Sequence, residues 1–516
     1  MKKTVALLLA VFFVTSILFA CGSEQPSESS SEAVTASESS NPLQELTREP
    51  SEALSEDLSR PESEADRPGE SSDTDSEEDP SSDSPAESSA AETPSETPSV
   101  SEETSETTDE PSSDDVSEPE ESSEISEEPV EPMQKTAKVY IETSGYINRN
   151  EYVTCRIRIV DPTGKYEEID DAEATIKIRG NSTSSGAKKP YNIKFSSKED
   201  VLGMGKCKKW CLLANMYDKT LMRNKLAYDF AAAIGLAYTQ QSTFADLYLN
   251  GKYMGNYQIC ESIGVGDTRV DIDTKGNEFL LEYEPREGYS NPQWIWTPLM
   301  GKLYGFNDPE EPTAEQRAWL TQFFIDAENA LYSGDRARIE QYWDIDSFVN
   351  DYIVHEFFKN VDAQTSSTRY YIKGGKIYGG PVWDFDLSSG NCDSSYYKGY
   401  FPGGNSSNGW YCRHIWYDDL LVTGWFEELV IKRFRELQPI IMNLTFDNEL
   451  GKNRIDLLLE EYGGSFRANF KEAGWSVTSK DSPYERIPLS TYEENVQFLR
   501  NWFIRRNNWM RAQFGI

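Results

Sequence analysis

The sequence predicts an α+β fold in two lobes, and three observations carry that expectation. Apolar residues alternate with period two between about 136 and 285, as strands require. From about 286 the spacing turns mostly helical. One strand–turn–strand pattern, R-Y-Y-I-K-G-G-K-I-Y-G-G (369–380), stands inside that helical half.

The chain before 136 is of another kind. Lys2 and Lys3 followed by the apolar run Val5–Phe19 read as an export signal over residues 1–20. L-F-A-C (18–21) resembles a bacterial lipobox, which implies a lipid anchor on Cys21 and an extracytoplasmic location at the membrane surface. Residues 21–135 read as a Ser/Glu/Pro-rich acidic spacer with no Trp, Tyr or Phe. Such a stretch has too little apolar surface to offset chain entropy, so it is expected to be disordered, spanning roughly 60 Å as a random coil.

Charge separates these parts. Of the net charge of −38, residues 22–135 hold −32, from 36 acidic and 4 basic residues. With Lys2 and Lys3 set aside, 136–516 carries the remaining −8. A basic excess for nucleic acid is missing. All twelve Trp lie in 136–516, which supports a packed body. With His355 and His414 the only histidines, a His-based triad or multi-His zinc site is not expected. The seven cysteines form no paired C-x-x-C, so a zinc ribbon is not expected; disulfides outside the cell and buried free thiols both stay open.

Strands are expected at 138–143, 154–160 and 175–179, the last with Ile176 and Ile178 on one face. A Gly/Ser-rich loop, 180–189, leads into P-Y-N-I-K-F (190–195), where Asn192 and Lys194 oppose Tyr191, Ile193 and Phe195. Backbone N–H groups of such a loop can cradle phosphates, with a Lys as point charge. A buried strand at 208–215 precedes a helix that Asp218 should cap and Gly235 close. F-A-D-L-Y-L-N-G-K-Y-M-G-N-Y-Q-I-C-E (244–261) is a hairpin with a type I′ turn at Asn250-Gly251. After Gly301 helices are expected at 314–331, 347–359, 417–440, 446–462 and 490–513.

The chemistry gathers at 355–391. A hairpin over 369–380 returns its open ends to about 5 Å of each other. Asp362 precedes one end, and Asp384 and Asp386 follow the other. Three clustered carboxylates repel unless a hard cation such as Mg²⁺ lies between them.

Together R-G-N-S-T (179–183), K-K-P-Y-N-I-K-F (188–195), K-K-W-C-L-L-A-N-M-Y-D-K-T-L-M-R-N (208–224), D-L-Y-L-N-G-K-Y-M-G-N-Y (246–257), N-V-D (360–362) and P-V-W-D-F-D-L-S-S-G-N (381–391) resemble the CotH family, the spore-coat-H-like atypical protein kinases. The resemblance implies a reduced kinase-like two-lobed fold, with a strand-rich lobe over about 136–285 and a helical lobe over about 286–516. It implies ATP with Mg²⁺ or Mn²⁺ as cofactors. Asp362 would match the catalytic Asp that orients the acceptor hydroxyl, and Asp384 and Asp386 would match metal ligands. Nucleotide contacts would fall to Lys194 or Lys189, with Arg179 and Glu261 nearby. Ser367 stands where kinases carry a metal-binding Asn, five residues after the catalytic Asp, and is a shorter ligand.

Three functions follow as expectations. The first is an exported, lipid-anchored kinase acting on Ser/Thr of surface proteins, its own Ser-rich spacer included. The second is a non-catalytic surface module binding a protein or glycan, for which Tyr396, Tyr397 and Tyr400 offer aromatic surface. A glycoside hydrolase built on paired Asp has least in its favour.

Overall fold

The seven strands nearest the start of the described chain close on themselves. The computed structural model describes residues 135–283, 293–364, 366–393, 405–412 and 416–516. Cys21, the export signal, the acidic spacer up to 134, His414 and Tyr396, Tyr397 and Tyr400 lie outside these residues.

β1 (Ala137–Glu142), β2 (Val153–Val160), β3 (Ile169–Ile178), β4 (Tyr191–Asp200), β5 (Lys206–Leu213), β6 (Ser242–Leu249) and β7 (Lys252–Glu261) form a barrel ordered β1-β2-β3-β4-β5-β7-β6. The parallel pairing of β1 with β6 closes it. Each strand contributes to one inner core, from Ile141, Ile157, Ile176, Ile193, Leu212, Leu247 and Ile259. Alternation then turns Cys211, Leu213 and Cys260 outward, into a second core shared with helices. The β6–β7 turn is as expected: Asn250 and Gly251 both take positive φ, +48° and +74°.

The helix after β5 starts later than its sequence suggests. α1 is Arg223–Ala233 with Met222 at its N-cap. Asp218 instead anchors the preceding turn, accepting from the N–H groups of Thr220 and Arg223 while pairing with the Arg223 guanidinium. A short buried Asp serves the turn better than a first helical residue.

A second sheet was not anticipated. β8 (Phe279–Tyr283), β9 (Trp294–Trp296) and β10 (Leu303–Asp308) precede α2 (Ala314–Tyr332), α3 (Arg336–Tyr342) and α4 (Ile345–Phe358). The hairpin strands β11 (Thr368–Lys373) and β12 (Lys376–Gly379) then join β8 in the order β12-β11-β8-β10-β9. β10 was missed because Leu303, Tyr304, Gly305 and Phe306 are all buried, so no polar residue marks the alternation. A boundary at 285 divides this sheet, since β8 lies before it and its partners after.

α5 (Tyr417–Leu421), α6 (Trp425–Glu436), α7 (Gln438–Met442), α8 (Arg454–Lys471) and α9 (Tyr492–Phe514) complete the described chain. The helix expected at 446–462 is displaced to α8, because Asn453 caps it by accepting from Asp456 N–H. Its class is α+β as expected, but the strands form a closed barrel and a separate sheet. Among the described residues no helix is long and apolar enough to cross a membrane.

Candidate active site

α4 delivers the first carboxylate. It ends at Phe358, Lys359 turns left-handed, and a 3-10 turn over Val361–Gln364 carries Asp362. Asn360 fixes this turn: its Oδ1 accepts from Asp362 N–H at 3.2 Å and its Nδ2 donates to Trp383 O at 3.4 Å. The β11–β12 hairpin pairs Tyr370 with Gly379 and brings the chain back at Trp383. Asp384 then adopts a left-handed φ of +66°, which a non-glycine residue holds only when its surroundings insist.

Those surroundings are a chain of amides. Phe385 N–H donates to Asn224 Oδ1 at 2.7 Å, Asn224 donates to Asn215, and Asn215 to Gln258 on β7. Arg223 donates to the carbonyls of Ser388 and Ser389. Asn391 Nδ2 closes the loop onto Asp386 O at 2.7 Å. Phe385 itself lies parallel to the His355 ring at 5.5 Å. α1 and the barrel thus hold the segment that follows the hairpin.

Asp362, Asp384 and Asp386 converge, each offering an oxygen within 4.8 Å of the other two. Ligands on opposite sides of one hard cation lie about 4–5 Å apart, twice the metal–oxygen distance, so the three carboxylates fit such an ion. Burial and the charges of Asp384 and Asp362 push the Asp386 carboxyl well above its ordinary range. Asp384 is raised by burial, against the pull of Arg179, Arg369 and the Ser367 hydroxyl. Ser367 Oγ donates to Asp384 Oδ2 at 3.3 Å, so the residue standing in for Asn borders this cluster. An all-oxygen set with surplus negative charge suits Mg²⁺ or Mn²⁺.

The carboxylates border a cavity of about 830 Å³. The same cavity is lined by Arg149, Lys177 and Arg179, and by Arg369 from the hairpin. Trp383 lies between two of these cations: the guanidinium of Arg179 sits 5.1 Å from one of its rings and that of Arg369 5.9 Å. Arg369 also bonds Ser367 O at 3.1 Å and Glu282 at 2.6 Å. Arg149 reaches Asn181 in the loop after β3 at 3.3 Å. Tyr217 and Tyr484 line the same cavity, the latter from the segment between α8 and α9.

Of the nucleotide contacts expected from sequence, only Arg179 lines this cavity. Lys194 is exposed and pairs with Thr175, two residues along β4 from the Asn192–Lys177 pair that does line it. Two residues of strand displace it by roughly 7 Å. Lys189 instead bonds the Ser184 carbonyl at 2.9 Å, folding the loop onto itself. Its neighbour Lys188 is buried against the Ala214 and Asn256 carbonyls. Glu261 shares the face of Ile259, is buried 3.8 Å from Arg269, and accepts from Gln241 N–H. Alternation along β7 therefore turns it away from the cleft. Lys177 was legible: it alternates with Ile176 and Ile178. Arg149, Arg369 and Tyr484 carried no local signal.

An α+β fold whose cleft is lined by three converging carboxylates and four cations offers ligands for a divalent metal and partners for an anion. The family described as CotH kinase protein matches residues 176–510, more than half of the chain, and the chain belongs to that family. No curated protein matches it.

Proposed function

We propose that the chain is an exported, membrane-anchored CotH kinase that transfers the γ-phosphoryl of ATP to Ser or Thr hydroxyls of surface proteins. The convergence of Asp362, Asp384 and Asp386 in a cavity also lined by Arg179 and Arg369 carries this reading. Barrel and helices then play the parts of the two lobes of a kinase.

Asp362, half-buried at the tip of its turn, accepts the proton of the acceptor hydroxyl and aims its oxygen. Asp384 and Asp386, with Ser367 beside them, hold the divalent ion. When bound, that ion neutralises phosphate charge and orients the transferred group. Arg179, Lys177 and Arg369 oppose the charge that spreads over the phosphoryl oxygens. Arg179, half-buried, and Arg369, buried, both pack on Trp383 and are pre-oriented, so little reorganisation accompanies transfer.

The export signal, Cys21 and the acidic spacer support display at the outer membrane surface, with surface or secreted proteins as acceptors. The spacer's own serines are within the same chain and are proposed as a further acceptor. The mildly acidic charge of residues 136–516 argues against nucleic acid as a partner.

Labelled ATP with Mg²⁺ or Mn²⁺ tests the proposal. Label should enter serines or threonines of spacer or partner proteins, and Asp362→Ala should abolish it. Equal labelling by wild type and Asp362→Ala would reject it. Ser367, a shorter ligand than Asn, favours a second reading: a weakly catalytic or inactive surface module on the same fold. Calorimetry separates the two, since that module would keep its protein or glycan partner in Asp384→Ala while binding no nucleotide.

A further inference from the structure

We propose that Cys211 and Cys260 form a dithiol modification site that closes to a cross-strand disulfide in the core behind the cleft-lining Asn192. The two face each other in the β5–β7 register, between the Trp210–Glu261 and Leu212–Ile259 pairs. Directly opposed antiparallel residues have Cα atoms about 4.5 or 5.5 Å apart, inside the range a disulfide spans. Both side chains lie on the outer face of the barrel, 3% and 0% exposed. The two thiols lie close enough to shift each other's titration, Cys211 down and Cys260 up.

Cys211 is the attacking sulfur. The hydrogen bond from Cys260, then the guanidinium groups of Arg179, Arg269 and Arg369, hold its thiol below the ordinary range. No other described cysteine has such a partner in register: Cys155 opposes Ala174 and Cys207 opposes Glu199. Burial pushes Cys155 and Cys392 up to about 12, and it raises Cys260 as well, so Cys211 attacks first and Cys260 follows only because the register sets it beside the mixed disulfide.

The oxidant is a thiol disulfide of low molecular weight or on a protein. Cys211 thiolate attacks one of its sulfurs and expels the first thiolate. Cys260, deprotonated, attacks the mixed disulfide at Cys211 Sγ and expels the second. Two electrons pass to the oxidant, and the two S–H protons end on its thiols. Because the pair is buried, this exchange runs as β5 and β7 come together or open.

The link reaches the cleft through Asn192. Cys211 Sγ donates to Asn192 Oδ1 at 3.4 Å, and Asn192 lines the cavity opposite Lys177. Oxidation consumes that S–H and frees the amide oxygen toward the cavity.

The full chain, both native and refolded from denaturant, is equilibrated in glutathione buffers, acid-quenched, alkylated and mapped by mass spectrometry. A peptide joining Cys211 to Cys260 should rise from about a tenth to about nine-tenths over roughly a 100-fold change in [GSSG]/[GSH]². Cys155 and Cys392 should stay alkylated throughout, and Cys260→Ser should abolish the link. Full alkylation of Cys211 and Cys260 in the refolded chain at the most oxidising ratio overturns the proposal. So does a link that joins either one to another cysteine. This test needs no kinase activity, so its outcome stands apart from the proposed function.

Discussion

The two walls of the cleft are built in different ways. The acidic wall is local: Asp362, Asp384 and Asp386 lie at the ends of one hairpin, in one stretch of chain. The basic wall is assembled from the β1–β2 loop, β3 and the loop after it, which supply Arg149, Lys177 and Arg179. A local device keeps its geometry as long as one ribbon pairs. An assembled one depends on the closure of the whole barrel. Catalysis should therefore depend most on the first wall, and ligand affinity on the second.

The largest effects should follow from the acidic wall. Asp362→Ala and Asp384→Ala are expected to cut phosphoryl transfer by roughly 10³-fold or more, measured by label incorporation. Thermal melts should show wild type stabilised by added Mg²⁺ and Asp384→Ala unaffected. A melting rise of equal size in both would separate the carboxylates from the ion.

Next comes the basic wall. Removing a charge-assisted contact costs about 1.5–3 kcal/mol, or roughly 10–100-fold in affinity. Arg179→Ala should weaken ATP binding by that factor in calorimetry and Lys177→Ala by less, while Arg369→Ala should do so from the hairpin itself. Lys194→Ala should stay within about twofold, because it lies a strand pair away from the cavity. A strong Lys194 effect would move the ligand off the wall described.

A pH effect should come from the segment behind the cleft. Burial raises Glu485 to about 7, against the pull of Lys219 and the N–H groups of Ser482 and Asp481. The folded chain then holds this proton where the unfolded chain has lost it. Stability is full below about pH 4.5 and falls as pH rises through 7, by up to roughly 3 kcal/mol. Chemical denaturation from pH 5 to 8 measures it, and Glu485→Gln should flatten the slope.

The smallest expected change tests the tie between the walls. Asn224→Ala leaves Phe385 N–H buried without its acceptor and should cost about 1–3 kcal/mol in denaturant melts. Loss of Mg²⁺ stabilisation in the same variant would show that Asp384 depends on this anchor.

Much of the acidic wall was legible beforehand. Gly374-Gly375 between two β-branched and aromatic runs can only be a tight turn, and a hairpin brings its ends together whatever else the chain does. The same rule recovered β6 and β7 through Asn250-Gly251. Lys194 was misplaced because alternation gives the face of a strand but not the position along it that meets the cleft. Glu261 was misplaced because the end of β7 faces back into the barrel.

The amino-acid sequence alone determined the α+β class, the local hairpins, the family resemblance and the carboxylates that belong together, because these rest on contacts between near neighbours in the chain. Only the tertiary structure decided that seven strands close into a barrel, that β8 joins the hairpin in a second sheet, and which cations share the cavity with the acids. Those are contacts between residues far apart in sequence, fixed by the joint packing of buried faces, and no single stretch of residues encodes them.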